Sequence, residues 1–306
     1  MARAPVVAGQ FYPAGAEGLR SMIAGYTPVV EDRREALGVL SPHAGYVFSG
    51  ATAGRVFAQV RIPDTVILLT PSHRYPSPPC ALWTGGPWET PLGEVALHEG
   101  VCSALAKLPM VTADDRPHVP EHSGEVVLPF IQYHRPDVRI AVICVTQSAT
   151  ADQLLALGSG IAQVLGACDE GDALVVASSD MSHEDGPQAK ETVMRQDPLA
   201  IAEMERLDPA GLMRVCMERG VTMCGVLVAA AMMACVGVRG GTGGEVIHRA
   251  TSADSPLGRG DYVVGYVGMA FRRTRTVRRH AHSNARNLFP FALQTGHSFG
   301  ALPSAV

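Results

Sequence analysis

No CxxC pair occurs in this chain of 306 residues, and its seven cysteines, at positions 80, 102, 144, 168, 216, 224 and 235, are odd in number and scattered. That pattern excludes a disulfide framework and fits a reducing, cytoplasmic setting. The N-terminus lacks a basic region running into an apolar one, so no signal peptide is expected. Long apolar runs are missing too. The most apolar helical stretch, residues 225–238, is too short to span a bilayer and reads as a buried core helix, so no membrane partner is expected. Positive charge is concentrated in one place. Residues 272–306 hold six arginines with no lysine and no acid; removing those six charges from the net −4 leaves −10 for residues 1–271. An acidic body argues against nucleic-acid binding by the fold itself. No internal repeat is evident beyond one pattern, a strand followed by a histidine.

Residues 36–40 form an apolar run that reads as a buried strand, and Ser41-Pro42-His43-Ala44-Gly45-Tyr46 follows it. Pro42 cannot donate to a ladder, so the strand stops there. Residues 65–70 are a second such run, followed by Pro71-Ser72-His73. Residues 173–177 are a third, followed by Ser178-Ser179-Asp180-Met181-Ser182-His183. Open α/β sheets place their chemistry at the C-terminal ends of strands. If the three strands are parallel neighbours, His43, His73 and His183 converge on one edge of one sheet. One histidine after a strand is ordinarily a surface residue; three in the same position favour a shared site.

Strand and helix alternate around these runs. That predicts an α/β fold, a single domain over residues 1–271 with a largely parallel or mixed central sheet flanked by helices. Helical spacing covers residues 16–26, 49–60, 97–108, 151–166, 188–205 and 209–219. Ala81-Leu82-Trp83-Thr84 reads as an edge strand, residues 89–95 as a hairpin and residues 112–120 as a loop. Ser123 suits the N-cap of a helix reaching about His134, with Glu125 in its first turn. Residues 138–145 read as a strand. Two more strands, residues 245–253 and 261–271, follow a glycine-rich turn at 240–244. Residues 272–306 lose apolar periodicity and read as a basic, disordered tail.

Imidazole binds transition metals through a neutral ring nitrogen. His43 and His73, at the ends of neighbouring strands, could face one ion, with Cys224, Asp180 or His183 as third ligand and open positions for substrate or water. Cys224 precedes a helix, whose dipole favours thiolate; equally, a free cysteine ordinarily only packs. Asp180 and His183, three apart, are spaced so that the carboxylate could orient the imidazole. His122, with Glu125 three residues on, is a further candidate. His98, His118, His134 and His248 lack the strand-end context and read as surface residues.

These motifs, with Ala8-Gly9-Gln10-Phe11-Tyr12-Pro13, Thr90-Pro91-Leu92-Gly93, Glu121-His122-Ser123-Gly124-Glu125 and Thr222-Met223-Cys224-Gly225, resemble in order those of the Memo family, called AmmeMemoRadiSam system protein B in prokaryotes. The resemblance spans about residues 5–271. It implies a fold similar to that of class III extradiol dioxygenases, which use non-haem iron. It implies His43, His73 and Cys224 as metal ligands, Asp180 and His183 as a pocket pair, and His122 and His183 as acid/base groups. The dioxygenases complete their site with a carboxylate where this chain has cysteine, so the fold does not by itself imply their reaction.

The expected function is that of a metal-dependent redox enzyme, with iron or copper at the site and a small-molecule or peptide substrate. Zinc would point instead to hydrolysis by a metal-bound water. The alternative is a non-catalytic metal- or peptide-binding scaffold. The family's name implies AMMECR1-like and radical SAM proteins as partners.

Overall fold

The structure is a computed structural model that describes residues 2–74 and 78–273. The chain runs α1 (Ala16–Tyr26), β1 (Gly38–Ser41), α2 (Tyr46–Gln59), β2 (Thr65–Pro71), β3 (Cys80–Leu82), β4 (Trp88–Thr90), β5 (Gly93–Val95), α3 (Glu99–Leu105), β6 (Val111–Ala113) and α4 (Ser123–His134). It continues through β7 (Arg139–Val145), α5 (Ala151–Ala167), β8 (Leu174–Ser178), β9 (His183–Asp185), α6 (Ala189–Glu205), α7 (Pro209–Arg219), α8 (Val226–Val238), β10 (Gly241–Thr251) and β11 (Tyr262–Arg273).

Among the described residues, one mixed sheet has the order β10-β11-β1-β8-β2-β7-β3-β6, with β9 also pairing β11. Strands β1, β8, β2 and β7 are mutually parallel. β1, β2 and β8 are buried along their whole length, and residues so enclosed read as apolar runs rather than alternating ones. Their side chains still divide by the two-residue period. Leu40, Ile67, Leu69, Val175 and Ala177 enter the core shared with α5 and α8. Val39, Val66, Leu68, Leu174 and Val176 enter the core shared with α1, α2 and α4. This is the helix-covered α/β sheet expected. No helix among the described residues is long and apolar enough to cross a membrane.

Several local expectations change. β3 is interior, because β6 pairs with it from a segment too short and polar to read as a strand. The glycine-rich segment at 240–244 is largely strand, since β10 begins at Gly241. β11 continues through Arg273, two residues past the expected domain end; the tail at 274–306 lies outside the described residues. Ser123 is not the N-cap of α4. His122 holds that position, and the Ser123 N–H donates to Oε1 of Glu121 at 2.9 Å.

The four supposed surface histidines are drawn inward. His118 is fully buried, its Nε2 3.0 Å from the Ala81 carbonyl oxygen. His98 bonds Glu170 at 2.8 Å, and His248 bonds Thr52 at 2.9 Å. His134 is half-buried, and burial followed by Arg33 pushes it down to about 4. A loop, a helix end or, for His248, the middle of β10 carries no strand-end signal, so burial there comes from tertiary packing alone.

Candidate metal centre

β8 lies between β1 and β2, all three parallel, so their C-terminal ends open onto one edge. The backbone of His43 beyond β1, the Asp180 segment beyond β8 and His73 beyond β2 are thereby brought together. His122 comes from the start of α4. The ring centroids of His43 and His73 are 5.3 Å apart, those of His43 and His122 5.5 Å, and those of His73 and His122 5.0 Å. One ligand atom of each lies within 4.8 Å of the others, so the three could hold a metal ion. Cys224 is outside that trio, although its sulfur is 3.4 Å from Nε2 of His43.

Hydrogen bonding sets the ring tautomers. Ser178 spends its one proton on the Ser123 carbonyl at 2.8 Å. Its oxygen lies 2.8 Å from Nδ1 of His43 and must therefore accept, which puts the ring proton on Nδ1. The lone pair of Nε2 then faces the sulfur of Cys224. His73 follows the same rule. Glu121 accepts from the His73 N–H at 2.7 Å and the Ser123 N–H at 2.9 Å, and Nδ1 of His73 lies 2.9 Å from the same carboxylate. An ionised carboxylate can only accept, so Nδ1 of His73 donates, and in the neutral ring Nε2 carries the lone pair. Metal-binding histidines characteristically give one ring N–H to such a partner and the other nitrogen to the metal. His43 and His73 fit a metal on this ground. His122 is different. Among the described residues its buried Nδ1 has no hydrogen-bond partner, the Glu121 oxygen being 3.5 Å away.

The charges agree with this arrangement. Burial, then the adjacent His73 and His122, hold His43 well below the ordinary imidazole range. Burial lowers His122 as well, against the pull of Glu121. Burial alone would raise Glu121; the bonds from His73 and Ser123 outweigh it and hold the carboxyl well below the usual range. Neutral imidazoles beside a fixed carboxylate suit a cation.

Cys224 sits immediately before α8, as expected, but the helix start does not win. Burial first, and then the Asp180 charge, push the thiol up, outweighing the Asp180 N–H at 3.3 Å. Only an added positive charge would hold sulfur here as thiolate. Asp180 is buried, and burial raises its carboxyl; the backbone N–H groups of His43, at 2.8 Å, and Ala44 partly offset this. No hydrogen bond among the described residues joins Asp180 to His183. Instead Thr222 pins His183, accepting from its N–H at 2.7 Å and donating to its carbonyl at 3.1 Å. The Thr222-to-Gly225 segment thus both fixes His183 and carries Cys224.

His43, His73, His122, Asp180 and His183 all line one cavity of about 370 Å³. Its apolar wall includes Phe11, which meets the His122 ring edge-on at 5.2 Å, and the aromatic residues of β11. Tyr262, Val264 and Tyr266 alternate along that strand and so face the cavity together. Leu257 and Arg259, exposed, complete the mouth. The sequence does not single out Ser178 or Glu121 as site residues. Ser178 ends a strand and Glu121 precedes a histidine, which was the available signal.

An α/β sheet whose strand ends bring His43 and His73 to His122 of α4 around one cavity defines a protein that could hold a metal ion there. A family model described as Memo-like protein matches residues 3–270. A MEMO1 family protein of Aquifex aeolicus is 37% identical over 275 residues, covering 88% of this chain and 98% of the relative. One from Methanopyrus kandleri is 37% identical over 292 residues, covering 89% and 100%. The chain belongs to the Memo family. A solved structure of an uncharacterized Escherichia coli K12 protein is similar at a TM-score of 0.47 and 12% identity, covering 77% of this chain and 99% of that one.

Proposed function

We propose that the protein is a metal-dependent redox enzyme whose metal, iron or copper, is held by His43, His73 and Cys224. The observation that carries this reading is the His43 ring: Nδ1 is committed to Ser178, and Nε2 faces the Cys224 sulfur at 3.4 Å. His73, locked the same way by Glu121, supplies the second imidazole. Among the described residues His122 has no hydrogen-bond partner to fix its tautomer, which suits a group that exchanges protons better than one that holds a metal.

When bound, the metal would supply one-electron or oxygen chemistry of the kind iron and copper support with imidazole and thiolate ligands. The chain does the rest. Phe11, Tyr262 and Tyr266 give the cavity an aromatic wall against which a substrate would pack. His122 and His183 line the same cavity and can give or take a proton there. Asp180, whose carboxyl the neighbouring His183 helps to lower against burial, holds the His43 backbone in place.

The test is metal content by elemental mass spectrometry on untagged protein purified without oxygen. Near-stoichiometric iron or copper supports the reading. Wild type that arrives empty and fails to take up iron, copper or zinc sinks it.

A further inference from the structure

Glu121 is a buried carboxylate on which two imidazoles converge. Oε2 takes the backbone N–H of His73 at 2.7 Å; Oε1 takes that residue's ring Nδ1–H at 2.9 Å and lies 3.5 Å from Nδ1 of His122. Its own backbone carbonyl accepts from the Arg3 guanidinium. A residue that merely capped α4 would need only the bond from the Ser123 N–H. The paired bonds to the backbone and ring of His73 exceed what a cap requires.

We infer that Glu121 is a positioning residue of the metal centre, fixing the His73 ring with its proton on Nδ1 and its Nε2 lone pair presented to the metal. This rests on the metal reading above. Loss of such a partner typically weakens metal binding 10–100-fold. A carboxamide in place of the carboxylate keeps the size but can turn an N–H toward Nδ1, which favours the wrong tautomer.

The experiment titrates the metal-free full chain with Co²⁺ alone and follows the visible absorption of the bound ion. The proteins are wild type, Glu121→Gln, His73→Ala and the double variant. Glu121→Gln should weaken Co²⁺ binding roughly 10–100-fold and alter the spectrum, while adding nothing to the loss already caused by His73→Ala. An equal loss in both backgrounds would reduce Glu121 to a helix cap, and wild-type affinity with an unchanged spectrum would overturn the proposal outright. Should Glu121→Gln not fold, a long-range ¹H–¹⁵N spectrum of metal-free wild type decides: His73 protonated at Nδ1 supports the role and at Nε2 overturns it. Wild type that binds no Co²⁺ removes the metal reading itself, and this role with it.

Discussion

Nε2 of His43 and the sulfur of Cys224 face each other across 3.4 Å, while the ring proton of His43 lies on the far side, against Ser178. This makes the third ligand an experimental question with a definite answer. His43→Ala, His73→Ala and Cys224→Ala should each abolish stoichiometric metal in the purified protein. His122→Ala should keep it, with affinity falling by less than the roughly tenfold that loss of an orienting partner causes. Elemental analysis of the four variants checks this. Metal retained in Cys224→Ala but lost in His122→Ala would exchange the roles assigned to the two residues.

Gly225 shows how closely α8 must approach the end of β8. A Cβ there would stand 2.5 Å from the Ser179 Cβ and 2.6 Å from the Ser178 carbonyl oxygen. Backbone cannot yield as a flexible side chain can, so Gly225→Ala should destabilise the protein by about 1–3 kcal/mol. It should also shift Cys224 and weaken metal binding. Gly237, near the other end of α8, is exposed, and the nearest atom to its added Cβ is a Leu207 methyl at 3.8 Å. Gly237→Ala should stabilise by about 0.5–1 kcal/mol. Denaturant midpoints at constant slope measure both.

The strand-end histidines were legible because proline marks where two of the strands stop and because buried parallel strands read as continuous apolar runs. What escaped lacks any local signal. β9 is three residues long and exists only by pairing with β11. β6 hides in a polar segment and turns β3 from an edge into an interior strand. Ser178 and Glu121 act by hydrogen bonds between residues 55 and 48 positions apart, separations no periodicity encodes. The Asp180–His183 spacing suggested a direct pair, yet the carboxylate turns to the His43 backbone instead.

Glu125 tests how the N-terminal segment is fastened beside the site. It is buried, pairs with Arg3 at 2.9 Å, and accepts from the Val6 and Val7 N–H groups and the Tyr12 hydroxyl. Removing Arg3 leaves that charge without its counter-ion, so Arg3→Ala should cost about 3–5 kcal/mol. Tyr12→Phe deletes one charge-assisted bond and should cost about 1.5–3 kcal/mol. Phe11, next to Tyr12, walls the cavity at His122, so both variants should also loosen the site. Chemical denaturation gives the energies, and faster thiol labelling of Cys224 in the metal-free variants reads the loosening.

His118 gives the fold a pH dependence of known sign. Burial outweighs the Ala81 carbonyl and brings it down to about 4 from an ordinary 6.5. The folded protein therefore keeps this ring neutral until the pH nears 4, while the unfolded chain takes up a proton near 6.5. Between those values the unfolded state binds one proton more, so stability is complete above about 6.5 and is lost as the pH falls. One proton is worth about 1.4 kcal/mol per pH unit, or about 3 kcal/mol across the window. His134, also brought down to about 4, adds to the slope in the same direction. His118→Gln retains an N–H for the Ala81 carbonyl but cannot titrate. Its unfolding free energy, measured between pH 7 and pH 4, should fall less steeply than that of wild type by about one proton. Equal slopes would mean that His118 is already protonated in the fold, which would bury an Nδ1–H that finds no acceptor among the described residues.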